Sequence, residues 1–430
     1  MSNKNDFFQL EANGTTVRTE IVAGLTTFMT MAYILIVNPG ILSACGMDAG
    51  GVFTATAVAS AVATLVMGLW AKLPFALAPG MGLNAFFAFS VVLGMGYSWQ
   101  MALTAVFLEG IIFIILTAFN IREAIINSIP ANVKKAVSVG IGLFIAFIGL
   151  QGAGLIIHND ATLVSIGNIT GGSGLLAIIG LFIMGILLAL KVRGALLIGI
   201  VLTTIIGIPM GITQMPSGSW MPPSPAGVFF KFDFSNIFSV DMLVILFTFL
   251  FVDMFDTVGT LIGVSTKAGL IDRDGKIPRV KQALFADAIG TAFGAIMGTS
   301  TVTTYVESAS GVAEGGRTGL TAVTTAALFI VALFLSPLFL MVPGAATAPA
   351  LVLVGLFMMS PVKDIDFSDY TEAIPAFLTI IIMPLSYSIA EGIMFGMLSW
   401  ILLKLFTGKY KEISVLSYIV GILFLLKIFL

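Results

Sequence analysis

Two acids interrupt apolar stretches of membrane length: Asp256 in VILFTFLFVDMFDTVGTLIGV and Glu307 in TVTTYVESASGV. Holding a charge at bilayer mid-depth costs at least ~2.5–3.5 kcal/mol on insertion scales, so such residues mark functional positions. Each lies beside sequence expected to break a helix, Gly259 after the first and the Thr/Ser-rich run 299–304 before the second. Polar side chains on broken helices at mid-membrane are how secondary transporters build substrate sites. A carboxylate accepts hydrogen bonds from ring N–H donors, and one desolvated at that depth can also take a proton near neutral pH. Asp253, three positions before Asp256, shares its helix face and is a candidate support or proton partner. Thr257 and Thr304 are further supporting candidates. Asn84, in PFALAPGMGLNAFFAF, occupies the corresponding region of the other half, with helix capping and ligand contact both open to it.

The elements that must position these residues follow from composition. Of 430 residues, 58% are hydrophobic and 10% charged, with a mean hydropathy of +1.09. A soluble domain carries roughly 25% charged residues, so this chain cannot assemble a water-facing surface. Apolar runs separated by short polar loops make it an all-α polytopic membrane protein, and the continuity of the runs excludes a β-barrel. The polar N-terminal stretch carries no cleavable signal pattern. The single Cys45 excludes an internal disulfide and any cysteine metal cluster, and His158, the only histidine, reads as a solvated loop residue. No metal site is expected.

Hydropathy places spans near 20–38, 51–69, 74–95, 99–119, 134–152, 173–190 and 194–212. After the Pro/Ser/Gly-rich stretch MPSGSWMPPSPAG they resume near 240–264, 282–298, 300–316, 319–341, 346–360, 373–388 and 389–406. Fourteen transmembrane segments in a 7+7 arrangement give an inverted repeat, because an odd number of spans turns the second half upside down. With residues 1–19 cytoplasmic, the inner segments collect 18 of the 20 basic residues, the outer loops hold only Lys231, and Lys427 lies in the final segment. That bias follows the positive-inside rule. The tail 407–430 ends in VLSYIVGILFLLKIFL, long enough for a short extra span or an interfacial helix.

Each half has one weak span, the third of seven. Pro79-Gly80-Met81-Gly82 cannot continue a regular helix in the first, and GTSTVTTYVESASGV is rich in β-branched and hydroxyl residues in the second. A short extended stretch feeding a half-helix is expected in both, its unpaired backbone facing a cavity or ligand. The half-helix N-termini then fall near Leu83-Asn84 and Glu307. Asp287 and Glu391 sit near span ends and read as interfacial; Glu109 lies deeper and reads as structural. Thr26, Thr27 and Thr30 form a polar stripe suited to helix contacts. There is no G-x-x-x-x-G-K-S/T, and no hydrolase or nucleotide motif, so neither an enzyme nor an ATP-driven pump is expected.

The stretches GLTTFMTMAYILIVNPGIL, PFALAPGMGLNAFFAF, FVDMFDTVGTLIGV and TSTVTTYVESASGVAEGGRTGLTA strongly resemble the AzgA-like purine permeases, a branch of the nucleobase–cation symporter (nucleobase–ascorbate transporter) superfamily. The likeness covers about residues 5–410. It implies a core domain of spans 1–4 and 8–11 (20–119 and 240–341) and a gate domain of spans 5–7 and 12–14 (133–212 and 346–406). It also implies short β-strands in spans 3 and 10, with substrate held between them beside span 8. Residue by residue, it assigns substrate binding to Glu307, Asp256 and Asn84. The span-8 position is a glutamate in the wider superfamily, so Asp256 marks this branch.

The expected function is therefore proton-coupled uptake of a purine nucleobase, hypoxanthine or guanine, by alternating access in the bacterial inner membrane. Glu307 is assigned to substrate and Asp256 to substrate and proton. Adenine is the alternative substrate and Na+ the alternative coupling ion; no other cofactor is expected. Expected partners are the base and membrane lipid, not nucleic acid, with a homodimer implied by the resemblance. An anion transporter of the same fold is the main rival, disfavoured because the site offers two acids and no Lys or Arg.

Overall fold

A computed structural model describes residues 7–119, 130–216, 220–235, 237–270 and 277–429. Lys4, Arg122, Arg273 and Lys276, used above for topology, lie outside the described residues. The chain is mostly helical, and helix occupies each stretch where a span was expected. Among the described residues, eight helices are long and apolar enough to cross a bilayer unaided, while Met81–Gly94, Ala195–Gly207 and Tyr370–Ser386 are shorter apolar helices.

The first half opens with α1 (Val17–Met31) and α2 (Ile34–Ser43), consecutive pieces of one span. Then come α3 (Ala49–Val66), strand β1 (Leu77–Pro79), α4 (Met81–Ala85) with its wider-wound continuation to Gly94, and α5 (Trp99–Ala118). Next are α6 (Ala131–Gly152), a hairpin of β2 (Ile156–Asn159) and β3 (Leu163–Ile166), α7 (Gly172–Ala189) and α8 (Ala195–Gly207). The second half repeats the order. It runs α9 (Val240–Lys267), α10 (Val280–Met297), β4 (Val302–Thr304), α11 (Ser308–Ala313), then α12 (Gly319–Ala332) and α13 (Ser336–Leu340). It ends with α14 (Gly344–Met358), α15 (Tyr370–Ser386), α16 (Ile389–Phe406) and α17 (Val415–Phe429). Helix starts carry hydroxyl or carboxylate caps, as at Asp48, Ser98, Thr318, Asp369 and Ser388.

Both expected strands form, but their backbone does not face a cavity. β1 and β4 pair antiparallel with each other, Leu77 opposite Thr304, Ala78 opposite Thr303 and Pro79 opposite Val302. Gly80 N–H to Thr301 O and Tyr305 N–H to Ala76 O, both 2.9 Å, extend the ladder. The outer edges are closed by two threonines in equivalent places. On α3, the Thr64 hydroxyl donates to Leu77 O and accepts from Leu77 N–H; on α10, Thr291 does the same for Val302. In hydrocarbon every backbone polar group needs such a partner, and the two halves supply it to each other. This reciprocal pattern is the inverted repeat written in hydrogen bonds.

A second difference concerns α9. It runs without interruption through Thr257, Val258 and Gly259, so the break expected after Asp256 is absent. A single helical glycine costs about 1 kcal/mol, too little to end a long packed helix. The break occurs instead in the first span, at Ala32–Tyr33 between α1 and α2.

Helices within residues 17–118 and 240–340 pack chiefly on one another, and so do those within 131–207 and 344–406. Small residues allow the close approaches, such as Gly110 of α5 against the Ala292 backbone of α10, where an added Cβ would sit 2.6 Å from the amide nitrogen. The tail forms α17, which lies along α9 and α16 with Val420 and Phe424 buried and Phe424 edge-on to Phe247. Lys404, paired to Glu372 at 2.9 Å and Glu412 at 2.6 Å, anchors the turn before it. His158 is exposed in the hairpin, beside Asp160, as expected.

Candidate functional site

The β1–β4 crossing is the centre of the site, and α1, α9, α10 and α11 deliver side chains to it. Glu307 stands at the N-terminal cap position of α11, immediately after β4 and Tyr305-Val306. Its Oε1 accepts a 2.7 Å hydrogen bond from the hydroxyl of Tyr33, the residue at the joint between α1 and α2. Tyr305 donates to Pro79 O at 2.5 Å, clamping the end of β1. Val306 between them is 55% exposed, although it lies in mid-span. Glu307 and Asp256 are each half-buried.

Asp256 comes from α9 and lies within electrostatic reach of Glu307 and Asp287. Among the described residues, no side chain or backbone group donates to its carboxylate and neither acid is in an ion pair. Its Oδ2 faces Gly80: a Cβ there would come 3.8 Å from that oxygen and 2.8 Å from the Thr303 methyl. Gly80 thus lets β1 approach the acid and its neighbour.

Thr257 turns the other way, into a fully buried polar knot. Its hydroxyl lies 2.7 Å from Asp287 Oδ1, 3.2 Å from Asp253 Oδ1 and 2.6 Å from the Thr303 hydroxyl. One hydroxyl has one proton to give, so Thr257 donates to a carboxylate while accepting from Thr303. Asp253 and Thr257 therefore stand behind Asp256, linking α9 to α10 and β4. Thr304, the other supporting candidate, follows the strand's alternation away from Thr303; its buried hydroxyl has no hydrogen-bond partner among the described residues. Asn84 is wholly buried in α4: its Oδ1 accepts from the Ser300 hydroxyl and its Nδ2 lies 3.5 Å from Pro79 O. Its amide ties the two weak spans together beside the site.

Asp287 is not interfacial. It is 0% exposed and joins the Thr257 knot, because two helical turns separate it from the start of α10. Glu109 behaves as expected of a structural acid, accepting from Thr301 at 2.6 Å beside β4. Sequence reasoning passed over Tyr33 altogether; the nearby Pro39, which removes an amide from the helix ladder, is the one local hint of a joint there. It also passed over Glu20, buried in α1. That carboxylate accepts from the backbone N–H groups of Arg317, Thr318 and Thr321 and from the Thr321 hydroxyl, capping α12 from a distant part of the chain. Between the two helix sets Phe89 meets Tyr387 in edge contact, with Phe144 also against Tyr387.

Comparison with known proteins places this arrangement. A model of the Permease family matches residues 18–395. The adenine permease AdeP of Escherichia coli (strain K12) is 48% identical over 421 residues, 98% of this chain and 95% of that protein. The guanine/hypoxanthine permease PbuG of Bacillus subtilis (strain 168) is 49% identical over 434 residues, 98% of each. Among solved structures, the transmembrane domain of a cyanobacterium bicarbonate transporter, BicA, superposes with a TM-score of 0.63 at 17% identity, covering 88% of this chain and 97% of that one. That likeness concerns the fold alone. The sequence resemblance drawn from the four motif stretches is borne out, and the carboxylates belong to a transport protein rather than to an enzyme.

Proposed function

The chain belongs to the Permease family, and on that premise we propose that it carries purine nucleobases inward by proton-coupled symport, with hypoxanthine and guanine as substrates. The observation carrying this reading is the pair of half-buried carboxylates, Asp256 and Glu307, within electrostatic reach of each other and, among the described residues, with no Lys or Arg paired to either. A neutral planar base presents ring N–H donors, and carboxylates are the acceptors that fit them. Among the described residues no Lys or Arg is paired with either acid to hold an inorganic anion, although the fold is shared with an anion carrier. Adenine is the second reading, favoured by the near-equal identity to the adenine and guanine/hypoxanthine permeases.

In this mechanism Glu307 holds the base, Asp256 shares it and takes the coupling proton, and Asp253, Thr257 and Asp287 support Asp256 from behind. Residues 20–119 and 240–341 act as the core that carries the site, and 133–212 and 346–406 as the gate it moves against. Arg193, paired with Glu314 across that boundary, is one contact the motion would break. The basic-residue bias supports a cytoplasmic N-terminus in a bacterial inner membrane.

The test is uptake of radiolabelled hypoxanthine into proteoliposomes with and without an inward proton gradient, competed by guanine, adenine, uracil and xanthine. Gradient-stimulated uptake blocked by guanine and not by uracil supports the reading. Glu307→Ala should abolish that uptake while leaving folded protein in the membrane. Wild-type-like uptake by that variant refutes the assignment of Glu307, and absence of uptake of any base by folded wild type refutes the purine reading.

A further inference from the structure

Among the described residues Glu307 has one side-chain hydrogen-bond partner, and it comes from neither of the two weak spans. Tyr33 is 1% exposed, its ring enclosed and its hydroxyl 2.7 Å from Glu307 Oε1. It sits where the first span stops being one regular helix: α1 ends at Met31, Leu35 N–H bonds back to Ala32 O at 3.1 Å, and α2 restarts at Ile34. This joint aims the phenol across 274 residues of sequence separation at the carboxylate. An ionised carboxylate only accepts, so Tyr33 is the donor. No other side chain among the described residues donates to Glu307.

We propose that Tyr33 is a positioning residue for substrate choice: its hydroxyl takes up one acceptor site on Oε1 of Glu307 and turns Oε2 to the base, so that Oε2 is the fully free acceptor and Oε1 a weaker one. This deepens the purine reading and rests on it. A free carboxylate can grip two adjacent N–H donors at once, as guanine presents at N1 and its 2-amino group. Hypoxanthine has only the N1 donor on that edge. With Oε1 already accepting from Tyr33, both bases meet Oε2 as the stronger acceptor at Glu307, and the guanine amino group gains little there.

Tyr33→Phe removes the hydroxyl and keeps the ring. Hydrogen bonds to charged groups are worth enough that the KM for hypoxanthine should rise about tenfold as Glu307 loses its fixed orientation. The released Oε1 now serves guanine, whose KM should rise less than about threefold, with Vmax for both near wild type. The guanine-to-hypoxanthine preference therefore shifts at least threefold, which a general loosening of the fold would not produce. Equal changes for both bases, or none, overturn the proposal.

Glu307→Gln gives an independent reading should Tyr33→Phe not accumulate as folded protein. Tyr33 would hold the amide oxygen and leave the NH2 group facing the base, a donor in place of an acceptor. Equilibrium binding of both bases to that variant should move the adenine-to-hypoxanthine preference tenfold or more toward adenine, whose N1 is an acceptor. A shift smaller than that means the amide turns freely and Tyr33 does not position it. Failure of wild type to take up any base defeats the purine reading itself, and is separable from either variant's result.

Discussion

Replacing Thr257 tests whether the buried knot behind Asp256 is held by its hydroxyl or by its methyl group. The Thr257 hydroxyl meets Asp287 Oδ1 at 2.7 Å, Asp253 Oδ1 at 3.2 Å and the Thr303 hydroxyl at 2.6 Å, all at 0–1% exposure. With one proton to donate, it makes one strong charge-assisted bond, about 1.5–3 kcal/mol, and accepts one neutral bond worth about 1 kcal/mol. Thr257→Val keeps the shape and deletes both, a loss of about 2.5–4 kcal/mol. Thr257→Ser keeps both and deletes one methyl, about 1 kcal/mol with its small cavity. Most of that loss falls on the link between α9 and α10 and the rest on the link between α9 and β4, so Asp256 and Thr303 shift relative to Gly80. Uptake kinetics and thermal unfolding in detergent should therefore rank wild type above Thr257→Ser, and Thr257→Ser well above Thr257→Val. In Thr257→Val the KM should rise by tenfold or more. Val tolerated as well as Ser, in both assays, would refute the view that polar bonding organises this region.

Gly80→Ala should raise KM and lower the melting temperature, because its Cβ meets the Thr303 methyl at 2.8 Å while the backbone, at φ −72° and ψ 128°, accepts alanine without strain; overpacking of this kind costs about 1–3 kcal/mol, and unchanged kinetics would show that the crossing is soft. Glu20→Ala removes the acceptor for three backbone amides and one hydroxyl at the start of α12. It should destabilise the protein by about 2–4 kcal/mol in a thermal or denaturant assay, whereas Glu20→Gln, which keeps an acceptor oxygen, should cost less. Outside the spans, the Lys409 ammonium, with the Thr371 backbone and hydroxyl, holds the Asp369 carboxyl below the usual carboxylate range. A depressed carboxylate stabilises above its unfolded pKa of ~3.9 and loses that contribution as pH falls further. Protease access to residues 407–414 should thus increase below about pH 4 in wild type, and already be raised at neutral pH in Asp369→Asn.

Much of the architecture was legible locally. Pro79-Gly80 and the Thr/Ser run before Glu307 announce non-helical backbone, because proline lacks an amide and β-branched residues fit extended chain. The strands appear at Leu77–Pro79 and Val302–Thr304. Gly259 misled, since a propensity of about 1 kcal/mol is overridden by the packing of a 28-residue helix. Asp287 was misplaced because two turns into α10 already carry its carboxylate to Thr257 of α9, a partner that no pattern within α10 reports.

What the sequence determined by itself is what local chemistry dictates: a membrane solvent, two halves of matching order, and two carboxylates, Asp256 and Glu307, set in apolar runs where charge is costly. What only the tertiary structure decided is who meets whom. The pairing of β1 with β4, the knot of Thr257 with Asp287 and Thr303, and the hand of Tyr33 on Glu307 join residues 30 to 274 positions apart. Such contacts leave no period or propensity in either partner. They exist because two inverted halves, each unable to satisfy its own broken span in lipid, close around one another and complete each other's hydrogen bonds.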